Sequence, residues 1–296
     1  MPAEHVVVGR LIALICLPAC WVLSGAAFSP AQPGARDALT PAEGQVLVDR
    51  ALANEVRAAQ DSGHPMRYVL RKTSPRLTTT KEIFESKDGD VARLIAINDQ
   101  PLSAAGEGNE QERLDGLLRD PGLQRHRKQS ESADTGRALE VLRALPDAFV
   151  YQFAGAEDGP AGRVEKFTFK PNPNYDPPDL ETHVLSAMTG EIRIDAASER
   201  VVRLEGHLQR DVDFGWGILG RLNKGGSIAI GQANVGGGQW RTVSFKMSMS
   251  GRVFIRTRVF DTAEEETQFA PVPVGTGYAR AIEILRADPV AVAAGH

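Results

Sequence analysis

The 296-residue chain has only two cysteines, Cys16 and Cys20, and both fall in an apolar stretch near the N-terminus. If that stretch is removed on export, no thiol remains. Disulfides, thiol catalysis and cysteine-based metal sites are then excluded together, and stability must come from the core alone. An excess of either charge is also missing. Lys and Arg number 34 against 38 Asp and Glu, a formal net charge of -4. Such a chain lacks the basic surface that non-specific nucleic-acid binding needs.

Chemical motifs are scarce too. The six histidines (His5, His64, His126, His183, His207, His296) are scattered, with no His-Glu-x-x-His and no paired spacing. There is no G-x-S-x-G elbow. The segment Gly220–Ser227 resembles a phosphate loop only faintly, since it lacks the Gly-Lys-Ser/Thr ending and reads as a hairpin turn. The carboxylates Asp176 and Asp179, Glu181, and Asp211 and Asp213 show no spacing that favours acid–base catalysis. The runs Arg125–Lys128 and Glu264–Glu266 are short enough to be solvated surface. The expectation is a protein that is not an enzyme and carries no cofactor and no metal.

What is present begins with an address. Arg10 precedes the apolar run Leu11–Leu23, and Ser24-Gly25-Ala26-Ala27 follows, the layout of a secretory signal cleaved near Ala27. A membrane-spanning helix needs about 20 apolar residues, and Pro18 interrupts this run, so a retained anchor is the weaker reading. Leu17-Pro18-Ala19-Cys20 resembles a bacterial lipobox, which would place a lipid anchor on Cys20; the plainer reading makes both cysteines part of the apolar centre. The expected location is the periplasm. The expected division is a signal over 1–27, a flexible Pro/Ala/Gly-rich leader over 28–40, one domain over 41–286 and a disordered tail over 287–296.

Within the domain, Thr40 as N-cap, Pro41 at the first helical position and Glu43 three residues after the cap start a helix that Asp61-Ser62-Gly63 stops. Strands are expected at 67–72, 77–86, 91–97, 149–153 and 163–170. Between them, over about 106–145, the period changes to helical, with Leu114, Leu117 and Leu118 in one stripe and Ala138, Leu139, Leu142 and Leu145 in another. Pro146 is expected to end the last helix, and 278–286 reads as strand or helix. From Gly190 to Phe260 the chain alternates. Val202, Leu204, Gly206 and Leu208 point one way while Arg203, Glu205 and His207 point the other. Val243, Phe245, Met247 and Met249 repeat that beat. One side of an antiparallel sheet is therefore apolar.

One aromatic loop stands out in Asp211–Leu219, where Phe214 and Trp216 sit between glycines, and Trp240 follows the Gly236-Gly237-Gly238 turn. Either these side chains plug the core, or they form an apolar lip where a lipid or partner enters. The candidate apolar cavity comprises Val202, Leu204, Leu208, Phe214, Trp216, Ile228, Ile230, Trp240, Val243, Phe245 and Met247.

The segments Arg93–Ser103, Thr189–Asp195 with Val202–Gly206, Phe214–Gly217 and Gly251–Phe254, together with the order of elements, resemble the periplasmic lipoprotein-carrier (LolA/LolB-like) superfamily, in its outer-membrane lipoprotein-sorting-like branch. The resemblance implies an α+β fold: a strongly curved antiparallel sheet, a half-open barrel, with helices packed on its concave side. It implies a monomer whose interior holds a lipid or lipoprotein acyl chain, each buried CH₂ contributing roughly 0.8 kcal/mol. The alternative within the same resemblance is an envelope-stress sensor or interaction module that regulates a membrane-protein partner.

Overall fold

The structure, a computed structural model, describes residues 39–214, 220–253 and 256–287. The expected signal, almost all of the leader, Trp216 and residues 288–296 of the tail lie outside the described residues. The first helix, α1 (Pro41–Gln60), begins where the cap pattern predicts. The Thr40 hydroxyl accepts from the Glu43 N–H at 3.3 Å, and the Glu43 carboxylate accepts from the Thr40 N–H at 2.9 Å. Its buried stripe is Leu47, Val48, Ala51, Leu52 and Glu55, while Val46 points to solvent.

The strands are β1 (Met66–Thr73), β2 (Thr78–Phe84), β3 (Val91–Ile97), β4 (Gln100–Pro101), β5 (Phe149–Gly159), β6 (Gly162–Pro171), β7 (Met188–Asp195), β8 (Arg200–Leu208), β9 (Val212–Phe214), β10 (Gly220–Leu222), β11 (Ser227–Asn234), β12 (Trp240–Val253) and β13 (Arg256–Pro271). All pair antiparallel in one sheet of order β4-β3-β2-β1-β13-β12-β11-β8-β7-β6-β5, and β9 and β10 form a side branch on β12. The remaining helices are α2 (Ala104–Arg119), α3 (Pro121–Ala148), the single turn α4 (Leu180–His183) and α5 (Tyr278–Ala287). Two helices thus fill the insertion, hinged at Asp120, which closes α2 and caps α3 through Gly122. Pro146 does not stop α3, which runs two residues further into β5. The segment after Thr276 is helical because Ala281, Ile282 and Leu285 make one buried stripe at helical spacing.

The strongly curved, half-open barrel with helices on its concave side does not form. The sheet is open, neither closed nor strongly curled, and the terminal strands β4 and β5 have no pairing with each other. Helices lie on both faces. Tyr68, Leu70, Ile83 and Ala92 share the face that carries Phe245, since Leu70 pairs with Glu266 and Glu264 with Phe245. Their neighbours Phe84 and Val91 point to the other side, where α2 supplies Leu114 and Leu117 and α5 supplies Ile282 and Leu285. Apolar burial is accordingly divided among three clusters, where a barrel would gather it into one interior.

Helix α3 shows the same breadth. Near its start, the Gln124 amide donates to the carbonyls of Asp88 and Gly89 in the β2–β3 turn at 3.0 and 3.2 Å, and Lys128 Nζ donates to the Lys87 carbonyl at 2.6 Å. At its other end it leads into β5, with Val141, Leu145 and Ala148 in the largest core. Its 28 residues span about 42 Å at the α-helical rise. The nine strand spacings from β3 to β5 amount to about 43 Å. A sheet rolled toward a barrel would bring these two ends far closer than the helix is long.

The N-terminal half of α3 presents acids to acids. The Asp90 N–H donates to Glu131 Oε2 at 3.1 Å, which brings the two carboxyl groups together at the β2–β3 turn. Burial holds the Asp90 carboxyl well above the ordinary aspartate value of 3.8, and the charges of Glu131, Glu85 and Glu266 add to this while Arg127 opposes it. Burial also raises Glu85, against the pull of Arg241 and the Met66 N–H, and raises Glu131, against its bond from the Asp90 N–H. Carboxyls raised on folding stabilise the protein fully below their unfolded values, and that contribution is lost as pH rises through the folded values. Asp90→Asn keeps the shape and removes the charge. Thermal melts across the window upward from about pH 4 should show a variant more stable than the parent at alkaline pH, by about 1–3 kcal/mol, with a flatter dependence on pH. A variant that loses stability at alkaline pH would refute this account of the clasp.

Candidate functional site

Strands β5 to β8 have a covered face and an uncovered one. Phe167, Phe169, Ile192, Ile194 and Leu208 point to α1 and α3. The intervening residues line an open groove of about 680 Å³ on the opposite side: Val150 and Gln152 on β5, Thr168 and Lys170 on β6, Thr189 and Glu191 on β7, Glu205 and His207 on β8. The register builds it in rows. Gln152, Thr168, Glu191 and Glu205 lie in line across four strands, and Val150 pairs with Lys170 as Thr189 does with His207. The strand backbone approaches closely at Gly190, where a Cβ would sit 1.8 Å from the Glu205 carbonyl oxygen and 2.7 Å from the Phe169 ring. Glycine there lets Phe169 fill the core directly beneath the groove.

Charge in and beside the groove is balanced by short pairs. Arg193 donates to Glu191 at 2.6 Å, and Arg203 to Glu205 at 2.6 Å. Lys166 lies 3.8 Å from Glu157 and 3.9 Å from Glu191. The hydrogen bond to Glu191 holds the Arg193 guanidinium above its usual value, so it stays a cation. Val150, 41% exposed, is the apolar member of this face. His207 is exposed on the polar face, where alternation placed it, and its Nε2 lies 3.3 Å from Thr189 Oγ1. No carboxylate among the described residues completes that contact into a nucleophile, base and orienting group. Among the described residues, no group of three or more His, Cys, Asp or Glu side chains is placed to hold a metal ion. The groove is lined mostly by polar and charged side chains.

Beside the groove the sheet ends. Among the described residues, β5 pairs with β6 on one side and with no strand on the other. Its second half carries the devices that usually blunt such an edge, a bulge between Phe153 and Gly155 and the acids Glu157 and Asp158. Its first half, Phe149-Val150-Tyr151-Gln152-Phe153, carries neither charge nor proline. Sequence reading passed over this edge because a strand's place in the sheet order leaves no local mark. The uncharged run that follows the long helix was the one available signal.

The residues expected to line an apolar cavity fall into several groups. Leu208, Ile228 and Phe245 are buried in the largest core, with Leu204, Phe214, Ile230 and Met247 half-buried against it. Leu204 pairs with Ile230, and Ile230 with Phe245, which brings these three into one row. Val202 and Val243 are half-buried outside that cluster. Between Arg193 and Ile194 the β7–β8 register shifts, so Ile194 pairs with Val201, and Val201 enters the core in the place alternation assigned to Val202. Trp240 lies 5.8 Å from the Arg200 guanidinium, face to cation. Trp216 lies outside the described residues.

No family model matches the chain, and no curated protein matches it. Among solved structures it is similar to an outer membrane lipoprotein-sorting protein domain from Vibrio parahaemolyticus, at 8% identity and a TM-score of 0.30, over 76% of this chain and 93% of that one. It is also similar to the MucA/MucB complex structure from Pseudomonas aeruginosa, at 9% identity and a TM-score of 0.21, over 77% of this chain and 98% of that one. Likenesses at that level decide nothing about this chain, whose reading rests on its own geometry.

Burial separates two positions of the candidate set. Phe245 is 2% exposed, so Phe245→Asp places a charge in a packed core and should cost on the order of 4 kcal/mol or more. Val202→Asp, at a half-buried position, should cost about 1 kcal/mol. Urea unfolding of the two variants checks this, and equal stability of both would contradict the packing described.

Proposed function

We propose that this chain is a non-catalytic protein of the cell envelope that works by holding a partner, with the first half of β5 as the place where the partner docks. The unguarded edge from Phe149 to Phe153 beside an open groove carries this reading. A strand with unpaired N–H and C=O groups is a template for an extended segment of another chain. Main-chain hydrogen bonds would supply the affinity there and alternate side chains the selectivity. Such a segment would lay every second side chain beside Val150 and Gln152, with Lys170 one strand further in. The apolar member favours an aliphatic side chain, and the balanced charges around it disfavour a segment of one sign.

The export pattern at the N-terminus and the absence of cysteine after it agree with a periplasmic location, and the partner that fits is an exposed extended segment of a membrane protein. This is the interaction-module reading of the expected pair. Storage of an acyl chain at Leu208, Ile228 and Phe245 would require the helices over the largest core to leave, whereas the β5 edge is open as it stands. A photo-crosslinking residue at Val150 should capture the partner in intact cells, and the same residue at Val46, exposed on α1, should not. Val150→Lys with Gln152→Lys, which guards the edge as natural edges are guarded, should abolish binding of the captured partner without changing the melting temperature. Equal capture at both positions, or binding unaffected by the lysines, would end the proposal.

A further inference from the structure

The outer flank of β13 is a further free edge, in mid-sheet. β1 pairs with β13 only from Ala263 to Pro271, so among the described residues Arg256–Thr262 has β12 on one side and no strand on the other. Unlike the first half of β5, this edge is charged. Arg256 and Arg258 are exposed, and among the described residues neither has an ion-pair partner, in a chain whose formal net charge is -4. Arg221 on β10 contrasts with them, since Asp213 at 2.6 Å and Asp211 at 3.3 Å neutralise it. In the same run Val259 is 61% exposed and Phe260 40%. Arginine on an edge discourages a strand of like charge, whereas exposed apolar side chains beside it encourage pairing. Together they select which strand is added and do not simply forbid addition.

The register fixes what such a strand must carry. Met249 pairs with Phe260 and Gly251 with Arg258, so Phe260, Arg258 and Arg256 share one side of the sheet. Ser250 pairs with Val259 and Ser248 with Asp261, so Val259 and Asp261 share the other. The one acid of the run thus lies on the side away from the two arginines. A strand added at this edge sets every second side chain opposite Arg256, Arg258 and Phe260. Carboxylates complement the first two positions and an apolar side chain the third. A second copy of this chain does not fit that demand. Centred on Val259, the register that uses the whole free run, it would make the two Arg258 side chains diagonal neighbours and bring no carboxylate to their side.

We propose that the free edge of β13 accepts an acidic extended segment of a partner protein as an added strand, with carboxylates opposite Arg256 and Arg258 and an apolar side chain opposite Phe260. Main-chain hydrogen bonds to β13 hold the strand, and the two ion pairs select it. This rests on the β13 edge alone and is independent of the β5 edge, whose balanced charges disfavour a segment of one sign. An opposite-charge pair across two strands is a modest interaction, so each arginine should change affinity by up to about five-fold.

The test uses the full chain and a synthetic peptide that alternates glutamate and threonine on either side of a central valine, a pattern that reads the same in both strand directions. Fluorescence anisotropy should show binding that weakens as salt is raised. Arg256→Ala with Arg258→Ala should lower it about ten-fold, and a peptide of the same composition with its glutamates contiguous should bind more weakly. N-methylation of one alternate set of the peptide's amides should abolish binding while methylation of the other set leaves it, because an edge strand turns only every second N–H toward its neighbour. Val150→Lys with Gln152→Lys should not weaken it. Arg256 and Arg258 are exposed, so the double alanine variant should melt with the parent, and the methylated peptides test the unaltered chain in any case. Absence of binding, full binding by the double alanine variant, or equal binding of the two methylated peptides would overturn the proposal. So would arginine-dependent binding to phosphatidylglycerol vesicles by a chain that ignores the peptide, which would assign the edge to a lipid surface.

Discussion

Glu55 is buried between α1 and the sheet, and four donors converge on its carboxylate. Arg200 supplies Nε and Nη2 at 2.8 and 3.0 Å, Val201 its N–H at 3.0 Å, and Gln232 its amide at 2.9 Å. A carboxylate is tolerated at such depth only when its lone pairs are filled and its charge is met. The group therefore ties the helix to β8 and β11 at one register. Trp240 lies over the same Arg200, so the aromatic after the triple-glycine turn belongs to this fastening too. With α1 held there, Leu47, Val48, Ala51 and Leu52 are directed onto one face of β5–β8, and the opposite face is left to water.

Breadth is the second constraint. An antiparallel sheet that does not close must cover its apolar surface with helices and must tolerate two edges. Here α1 and α3 serve one face, and α2 and α5 serve the other at the far end. One edge is shortened to the two residues of β4, turned back by Asn98 and Asp99, both with positive φ. The other edge, β5, is long and is guarded only in its second half. The same geometry leaves the outer flank of β13 over Arg256–Thr262 without a described partner strand. The exposed β5 edge is thus a consequence of a sheet that stays open.

The fastening of α3 differs from that of α1. Its C-terminal half is held by apolar contact through Val141 and Leu145, its N-terminal half by polar contacts to the β2–β3 turn. Desolvated acids at that clasp oppose it as they ionise, whereas apolar contact does not titrate. The two halves of one helix therefore answer differently to pH.

Much of the local structure was legible in the residues. The Thr40–Glu43 box starts α1, the alternation of 201–208 and 243–250 makes strands, and His207 lies on the polar side, because caps and side-chain periods are properties of neighbours in sequence. The face taken by Val201 in place of Val202 was not legible, since a register shift is decided by the partner strand. Nor was curvature, which depends on where helices find apolar cover and how long they are. The chain by itself determined most of its strands and helices, while leaving 278–286 open between the two. Only the tertiary structure decided that the sheet stays open, that β5 ends it and that β13 outruns it, because strand order and edges arise from contacts between residues far apart in sequence.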